Sequence, residues 1–222
     1  MRDQVFADRR DAGRALARKL EDYRGREDVV VLGLARGGVP VAFEVAKALG
    51  APLEVFTVRK IGAPGQEELA MGAIATGGAV VMNYAVVDQL GIPPGRFDLA
   101  AERATVELER REQAYRGDRR PIELEGKTAM LVDDGLATGT TMRASVRAVR
   151  ELGPERVVVA VPTAPASVCR ELASLVDDVV CVTQPTPLVA VGQSYRDFTQ
   201  TTDDEVHALL AAADAGQDDP AF

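Results

Sequence analysis

The chain has 222 residues, a formal net charge of −8 and 46% hydrophobic residues, with two cysteines and one histidine. That length suits one large or two small domains with a substantial core, and no apolar run approaches the roughly twenty residues that a membrane-spanning helix needs. The acidic balance excludes a general nucleic-acid binder, whose surface must neutralise phosphates, and Cys169, Cys181 and His207 are too few for a disulfide framework, a zinc site or a Cys-His or Ser-His pair.

Residues 7–23 predict an amphipathic helix, with Ala15, Leu16, Leu20 and Tyr23 on or near one face, leading into a strand at 28–34. A helix at about 38–49 and a strand at 53–59 follow. Leu69 to Ala75 and Ala79 to Met82 flank Thr76-Gly77-Gly78 and predict a β-hairpin. A short helix near 84–90 stops at Pro93-Pro94, and a long polar helix runs over 97–117. Beyond it come a strand at 128–134, a helix at 140–152, a strand at 156–161, a helix at 165–175 and a strand at 178–182. A last helix begins near Asp203, and Gly216 to Phe222 form a flexible tail. Continuous valine-rich strands separated by helices predict an α/β fold, an open parallel sheet covered by helices on both faces. The first residues carry no signal-peptide pattern, so the expected location is cytoplasmic. Both cysteines are expected to be packing residues.

Chemistry concentrates at 129–141, Ala-Met-Leu-Val-Asp-Asp-Gly-Leu-Ala-Thr-Gly-Thr-Thr. An apolar strand delivers Asp133 and Asp134 to its carboxyl end, where carboxylates accept hydrogen bonds from vicinal hydroxyls. The small residues that follow aim backbone N–H groups and the Thr138, Thr140 and Thr141 hydroxyls at a phosphate, helped by the helix that begins there. Carboxylates repel phosphate, so the segment suits a ligand with hydroxyls at one end and phosphate at the other, the shape of ribose 5-phosphate. A solvated strand end and a helix cap would explain each piece singly, but not their order. A nucleoside-triphosphatase phosphate loop is excluded by the glycine spacing and the missing lysine.

The turn Gly33-Leu-Ala-Arg-Gly37-Gly38 also joins a strand to a helix, but its glycines do not follow the dinucleotide spacing. Ala35-Arg36-Gly37-Gly38 reads better as a second anion loop, with open backbone N–H groups and a guanidinium fork. The strand 53–59 then ends in Arg59-Lys60. All three features are expected at strand ends facing one crevice, although surface cations are the ordinary alternative for Arg36, Arg59 and Lys60.

Residues 129–141 closely resemble the phosphoribosyl pyrophosphate signature of the type I phosphoribosyltransferases, and the resemblance covers most of 28–185. It implies a single domain over 1–215: a parallel core of about five strands at about 28–185, a hood from about 1–25 and 183–215, the β-hairpin, and a helical insertion at about 97–117. It implies transfer of 5-phosphoribosyl from phosphoribosyl pyrophosphate to a nitrogenous acceptor, with Mg²⁺ bridging the ribose hydroxyls and diphosphate and its protein ligands unassigned. Asp133 and Asp134 would hold the ribose, and Gly135, Ala137, Thr138, Gly139, Thr140 and Thr141 the 5-phosphate. Ala35, Arg36, Gly37, Gly38, Arg59 and Lys60 would hold pyrophosphate, with Arg36, Lys60 and the two aspartates as the catalytic set.

In the hood, Tyr195 and Phe198 would stack on a base, with packing as the alternative role. The helix 97–117 lies where the family inserts a closing loop, which nominates Arg110, Arg111 or Arg116 as closing cations. Its Glu107–Arg111 and Glu112–Arg116 spacings, with apolar residues thinning out after Leu108, describe a helix that projects into solvent or covers a cleft, which favours a solvated face over closing cations, and a homodimer contact is a third reading. Ala137 stands where the 6-oxopurine branch has an aspartate, which disfavours hypoxanthine and guanine and leaves the acceptor open. The alternative to transfer is a nucleotide- or phosphoribosyl-pyrophosphate-binding regulatory module of the same fold, and hydrolysis of a sugar phosphate is a weaker third.

Overall fold

The computed structural model describes residues 5–116 and 123–217. In chain order its elements are α1 (Arg9–Ala17), β1 (Val29–Leu34), α2 (Gly38–Leu49), β2 (Leu53–Phe56), β3 (Val58–Ala63), β4 (Gln66–Ala75), β5 (Val80–Met82), α3 (Tyr84–Leu90), α4 (Pro94–Arg116), β6 (Thr128–Val132), α5 (Thr140–Glu151), β7 (Arg156–Thr163), α6 (Ala166–Ala173), β8 (Asp178–Thr183) and α7 (Asp203–Gln217).

Every residue of β1 and β6 is buried, because these strands are covered on both faces. Successive side chains alternate between two cores. Val29, Val31, Met130, Val132, Val158 and Ala160 face one cluster, closed by α1, α2 and α7 through Leu16, Val41, Val45, Val206 and Leu210. Val30, Leu32, Ala129, Leu131, Val157 and Val159 face the other, closed by α5 and α6 through Val146, Val149 and Leu172. Cys169 is buried in that second cluster and Cys181 is packed against it. The result is a five-stranded parallel sheet in the order β2-β1-β6-β7-β8. From β1 the chain crosses to β2 on one side, and the strand on the other side is β6. The helices that follow β1 and β6, α2 and α5, accordingly pack on opposite faces of the sheet, and the carboxyl ends of these two strands mark the switch point where ligands bind in such sheets.

The strand expected at 53–59 is broken. β2 stops at Phe56, and at Thr57 the chain leaves the parallel sheet. The Thr57 N–H donates to Thr76 Oγ1 (2.8 Å) and the Thr76 N–H to the Thr57 carbonyl (2.9 Å). Val58 then opens β3, which with β4 and β5 forms a separate antiparallel sheet. The expected hairpin is its β4–β5 half, with Gly77 at φ +83° in the turn. Arg59 and Lys60 thus lie within β3 and not at the end of a core strand. The alternation Arg59, Ile61, Ala63 against Lys60 and Gly62 is that of a strand, but a basic pair carries no signal of which sheet owns it.

The long helix α4 does not project into solvent. Phe97, Ala104 and Leu108 pack with Ile61, Met71 and Ile74 over the antiparallel sheet, and Tyr115 reaches α7, where its hydroxyl donates to Asp203 Oδ1 (2.6 Å). The expected last residue of this helix, Gly117, lies outside the described residues. The N-terminal helix is shorter than expected, ending at Ala17 before a 3-10 turn at Glu21–Tyr23. At the other end α7 takes in Gly216 and Gln217, and the remainder of the expected tail lies outside the described residues. The two stretches assigned to the hood come together: the Phe6 N–H donates to the Ser194 carbonyl (2.8 Å) and the Arg196 N–H to the Phe6 carbonyl (2.9 Å). Among the described residues no helix is long and apolar enough to cross a membrane.

Candidate active site

β1 and β6 are adjacent, with Gly33 opposite Val132, so the loops that follow them meet. The first loop, Ala35 to Gly37, begins with the Ala35 N–H donating to the Phe56 carbonyl (3.1 Å), and its Ala35–Arg36 peptide bond is cis. Its glycines are contact points. A β-carbon on Gly38 would lie 2.6 Å from the Val132 carbonyl oxygen and 2.9 Å from Asp133 Cα, and one on Gly37 would overlap Asp134 Oδ2. Any larger residue would push the two loops apart. Arg36 leaves this loop toward the start of α7, where its Nη1 lies 3.7 Å from Asp203 Oδ1.

The two aspartates are held differently. Asp133 Oδ1 accepts the Asp134 N–H (2.9 Å). Asp134 Oδ2 accepts Arg9 Nε (2.9 Å), in a pair whose side chains are only 12% and 13% exposed. Burial and the neighbouring Asp134 charge hold the Asp133 carboxyl well above the usual carboxylate range. Burial also raises Asp134, but Arg9 opposes the rise. The Tyr195 hydroxyl donates to the Asp134 carbonyl, so both the side chain and the backbone of Asp134 are tied to the hood.

After the aspartates the chain turns tightly over β7. A β-carbon on Gly135 would lie 2.6 Å from both Thr163 Cγ2 and Val191 Cγ1, and the Leu136 N–H donates to the Thr163 carbonyl (2.9 Å). Ala137 is half-buried and Thr138 exposed. Gly139 caps α5 at φ +70°, a conformation glycine adopts without steric cost. The Thr138 and Thr140 hydroxyls lie 3.1 Å apart, and Arg143 Nη2 donates to Thr140 Oγ1 (3.3 Å). Small residues, clustered hydroxyls and a helix N-terminus are a favourable setting for phosphate.

Arg59 and Lys60 come to the helix end of this loop. With Thr140, Thr141, Arg143 and Arg147 they line a cavity of about 440 Å³ between the antiparallel sheet and α5. Arg59 also pairs with Glu107 of α4 (2.5 Å). A larger cavity of about 610 Å³, on the α4 side, again contains Arg59 and Lys60, with Arg96 and Arg103, but neither aspartate. Asp133 and Asp134 lie instead at the carboxyl end of β6, beside the loop Ala35 to Gly37.

Tyr195 does not present an open face. Its ring lies between Phe6 and Phe198, at centroid distances of 5.6 and 5.0 Å, and the residue is 7% exposed. Phe198 carries the Arg9 guanidinium 4.0 Å above its ring. The Tyr195 hydroxyl thus contacts Asp134 and the Phe198 ring contacts Arg9. On α4, Arg111 pairs with Glu107 (3.6 Å), Arg110 is exposed, and the Arg116 side chain lies outside the described residues. The sequence reading overlooked Arg9, Tyr115 and Asp203. Arg9 looks like any cation on an amphipathic helix, and its partner is 125 residues away.

The family model for the phosphoribosyl transferase domain matches residues 2–195. A Mycobacterium tuberculosis protein provisionally named a phosphoribosyl transferase is 49% identical over 210 residues, covering 95% of this chain and 47% of its own. The bifunctional protein PyrR of Chloroflexus aurantiacus is 30% identical over 138 residues, 62% of this chain and 57% of its own. The chain thus spans about half the length of the curated relatives it matches. The crystal structure of TT1426 from Thermus thermophilus superposes with a TM-score of 0.83 at 42% identity, covering 94% of this chain and 99% of that one.

Proposed function

The chain belongs to the phosphoribosyl transferase domain family, and from that membership we propose that it moves 5-phosphoribosyl from phosphoribosyl pyrophosphate to a nitrogenous acceptor, releasing pyrophosphate. The observation that carries this reading is the contact of the two loops at the switch point of the sheet, Gly37 against Asp134 and Gly38 against the Val132 carbonyl. It sets the turn Ala35 to Gly38 beside the acidic pair, which supports one crevice serving both. Each carboxylate has one oxygen engaged by the protein, Asp133 Oδ1 and Asp134 Oδ2. Asp133 Oδ2 and Asp134 Oδ1 are then left to accept from the two vicinal hydroxyls of a ribose.

In this reading Gly135, Ala137, Thr138, Gly139, Thr140 and Thr141 hold the 5-phosphate, and Ala35 to Gly38 hold pyrophosphate. The bond from ribose carbon 1 to the diphosphate oxygen breaks as the acceptor nitrogen bonds to the same carbon. Positive charge grows on the ring and negative charge on the leaving group. The aspartates stabilise the first, while Arg36 and Lys60 stabilise the second, with Arg59 next to Lys60 in β3; preorganised charges of this kind lower barriers most. Neither aspartate has to carry a proton.

The residues fit Mg²⁺ carried by the substrate. Among the described residues no group of three or more His, Cys, Asp or Glu forms a protein cage, and Mg²⁺ commonly sits on one or two carboxylates plus substrate oxygens. Asp133 and Asp134 would hold it through the ribose hydroxyls or water, and when bound it supplies neutralisation of the diphosphate charge. We assign the hood, core and helical insertion to one domain in a cytoplasmic protein, with a homodimer through α4 open to test. Ala137 offers no carboxylate to a purine ring, which disfavours a 6-oxopurine and leaves the acceptor unassigned.

One observation favours a binding or regulatory module instead: Arg36 and Asp134 are both already ion-paired within the protein, to Asp203 and Arg9. The deciding experiment supplies phosphoribosyl pyrophosphate and Mg²⁺ with purine, pyrimidine and other nitrogenous acceptors one at a time and measures pyrophosphate. Release that depends on one acceptor and disappears in Asp133→Asn/Asp134→Asn supports transfer. Release without acceptor indicates hydrolysis, and binding without release indicates the module.

A further inference from the structure

Arg9 is held more firmly than a surface arginine on an amphipathic helix has reason to be. Its Nε donates to Asp134 Oδ2 (2.9 Å), its Nη1 donates to the Thr199 carbonyl (2.6 Å), and its guanidinium lies 4.0 Å above the Phe198 ring. The helix that carries it is fixed in turn. Asp8 caps α1 by accepting the Asp11 N–H (2.7 Å), and a β-carbon on Gly13 would lie 2.8 Å from the Val41 carbonyl oxygen, so α1 sits directly on α2. Asp134 also lies against Gly37, and its backbone carbonyl accepts the Tyr195 hydroxyl. With Oδ2 pinned between Arg9 and Gly37, the carboxylate has one orientation, and Oδ1 is its remaining acceptor.

We propose that Arg9 is a positioning residue for the sugar: by holding Asp134 Oδ2 it fixes Asp134 Oδ1 toward one ribose hydroxyl, and it locks the hood to the acidic pair. The proposal deepens the transferase reading and rests on its ribose site. Arg9 acts through Asp134 and not on the substrate, so its loss selectively weakens ligands that carry a ribose. Inorganic pyrophosphate, which meets the Arg36 loop, is unaffected. Lysine at this place keeps the charge but loses the planar stack and the second fixed donor, so it restores only part of the function.

The test compares wild type, Arg9→Ala, Arg9→Lys and, as a control on the same helix, Arg10→Ala. Calorimetry measures the binding of phosphoribosyl pyrophosphate and, separately, of pyrophosphate, and steady-state assays give KM for each substrate. The expected result for Arg9→Ala is a loss of about tenfold or more in phosphoribosyl pyrophosphate affinity, the scale of a hydrogen bond to a charged group. Its KM for that substrate rises in parallel, while pyrophosphate affinity and acceptor KM stay within about twofold. Arg9→Lys falls between, and Arg10→Ala matches wild type.

Equal loss for both ligands, or no loss for either, overturns the proposal. If Arg9→Ala does not fold, Phe198→Leu removes the surface beneath the guanidinium and is expected to give a smaller loss with the same ligand selectivity; absence of that selectivity overturns the proposal. Wild-type protein that binds phosphoribosyl pyrophosphate but never releases pyrophosphate defeats transfer while leaving the Arg9 comparison decisive through binding. Wild-type protein that binds neither ligand overturns both.

Discussion

Gly37 lies so close to Asp134 that a β-carbon there would overlap the carboxylate Oδ2. Alanine at 37 must therefore displace the very side chain that meets Arg9. Overpacking of this kind costs about 1–3 kcal/mol, and here the strain falls on the site. Gly37→Ala is expected to weaken phosphoribosyl pyrophosphate binding by about tenfold or more, with a modest fall in Tm. Gly38→Ala presses on the backbone carbonyl of Val132, which cannot rotate away, and should lose more stability. Calorimetry with thermal unfolding checks both; unchanged affinity in Gly37→Ala would refute the two-loop crevice.

Asp133 is expected to trade stability for activity. Burial and the adjacent Asp134 raise its folded-state pKa above that of the unfolded chain. For a carboxyl shifted upward, the folded protein binds the proton more tightly than the unfolded one, so stability falls as pH rises from the unfolded pKa toward the folded one. Above the unfolded pKa the buried acid is thus a net cost relative to a neutral side chain. Asp133→Asn keeps an Oδ1 that accepts the Asp134 N–H, removes the charge, and should raise Tm by about 2–4 °C for each kcal/mol recovered while abolishing pyrophosphate release. The difference in Tm should shrink as pH is lowered through the acidic range. A lower Tm for the variant at pH 7 contradicts the account.

Much of this architecture was legible because it rests on local rules. The runs Val29–Leu34 and 129–132 carry no polar side chain, as suits strands covered on both faces, and glycine-rich or acidic residues at their ends mark a crevice. The failures are non-local. Nothing between Leu53 and Arg59 announces that the chain changes sheets at Thr57, because the break is stabilised by Thr76, 19 residues on. The long helix looked solvated because its apolar residues are sparse; the antiparallel sheet that it covers is small. Arg9, Tyr115 and Asp203 have no sequence signature, since each matters through a partner from a distant element.

Tyr115 and Asp203 connect α4 to the loop that carries Arg36, since Asp203 Oδ1 accepts the Tyr115 hydroxyl (2.6 Å) and lies 3.7 Å from Arg36 Nη1. Tyr115→Phe should cost about 0.5–1.5 kcal/mol of stability and raise the KM for phosphoribosyl pyrophosphate a few-fold, with little change in kcat. The phenol is pushed up to about 12, first by burial and then by its hydrogen bond to Asp203. A phenol shifted upward contributes stability below its unfolded pKa of about 10, and that contribution is lost as pH climbs from there through the folded value of about 12. Phenolate absorbance should therefore show a component near pH 12, to which Tyr23, also raised to about 12, contributes as well, and Tyr115→Phe should shrink that component without abolishing it; a variant whose high-pH component equals that of the wild type would exclude the buried hydrogen bond.

Tyr195 distinguishes a base-stacking hood from a positioning one. Its ring is enclosed by Phe6 and Phe198, and its hydroxyl is committed to the Asp134 carbonyl. Tyr195→Phe preserves the ring and removes only the donor, so a stacking role predicts a silent variant. A positioning role predicts a different pattern. The Asp134 carbonyl loses its partner in a part-buried site, at about 1–3 kcal/mol, and the strand-end carboxylate loosens with it. Because the damage is to the ribose contacts, kcat/KM should fall by about the same factor for every accepted base, on the order of tenfold, leaving the ranking of acceptors intact. Burial raises the tyrosine pKa strongly, so the hydroxyl remains a donor across the whole neutral range and the effect should not depend on pH there. A reordering of acceptor preference in Tyr195→Phe would return this residue to the base pocket; a uniform fall assigns it to Asp134.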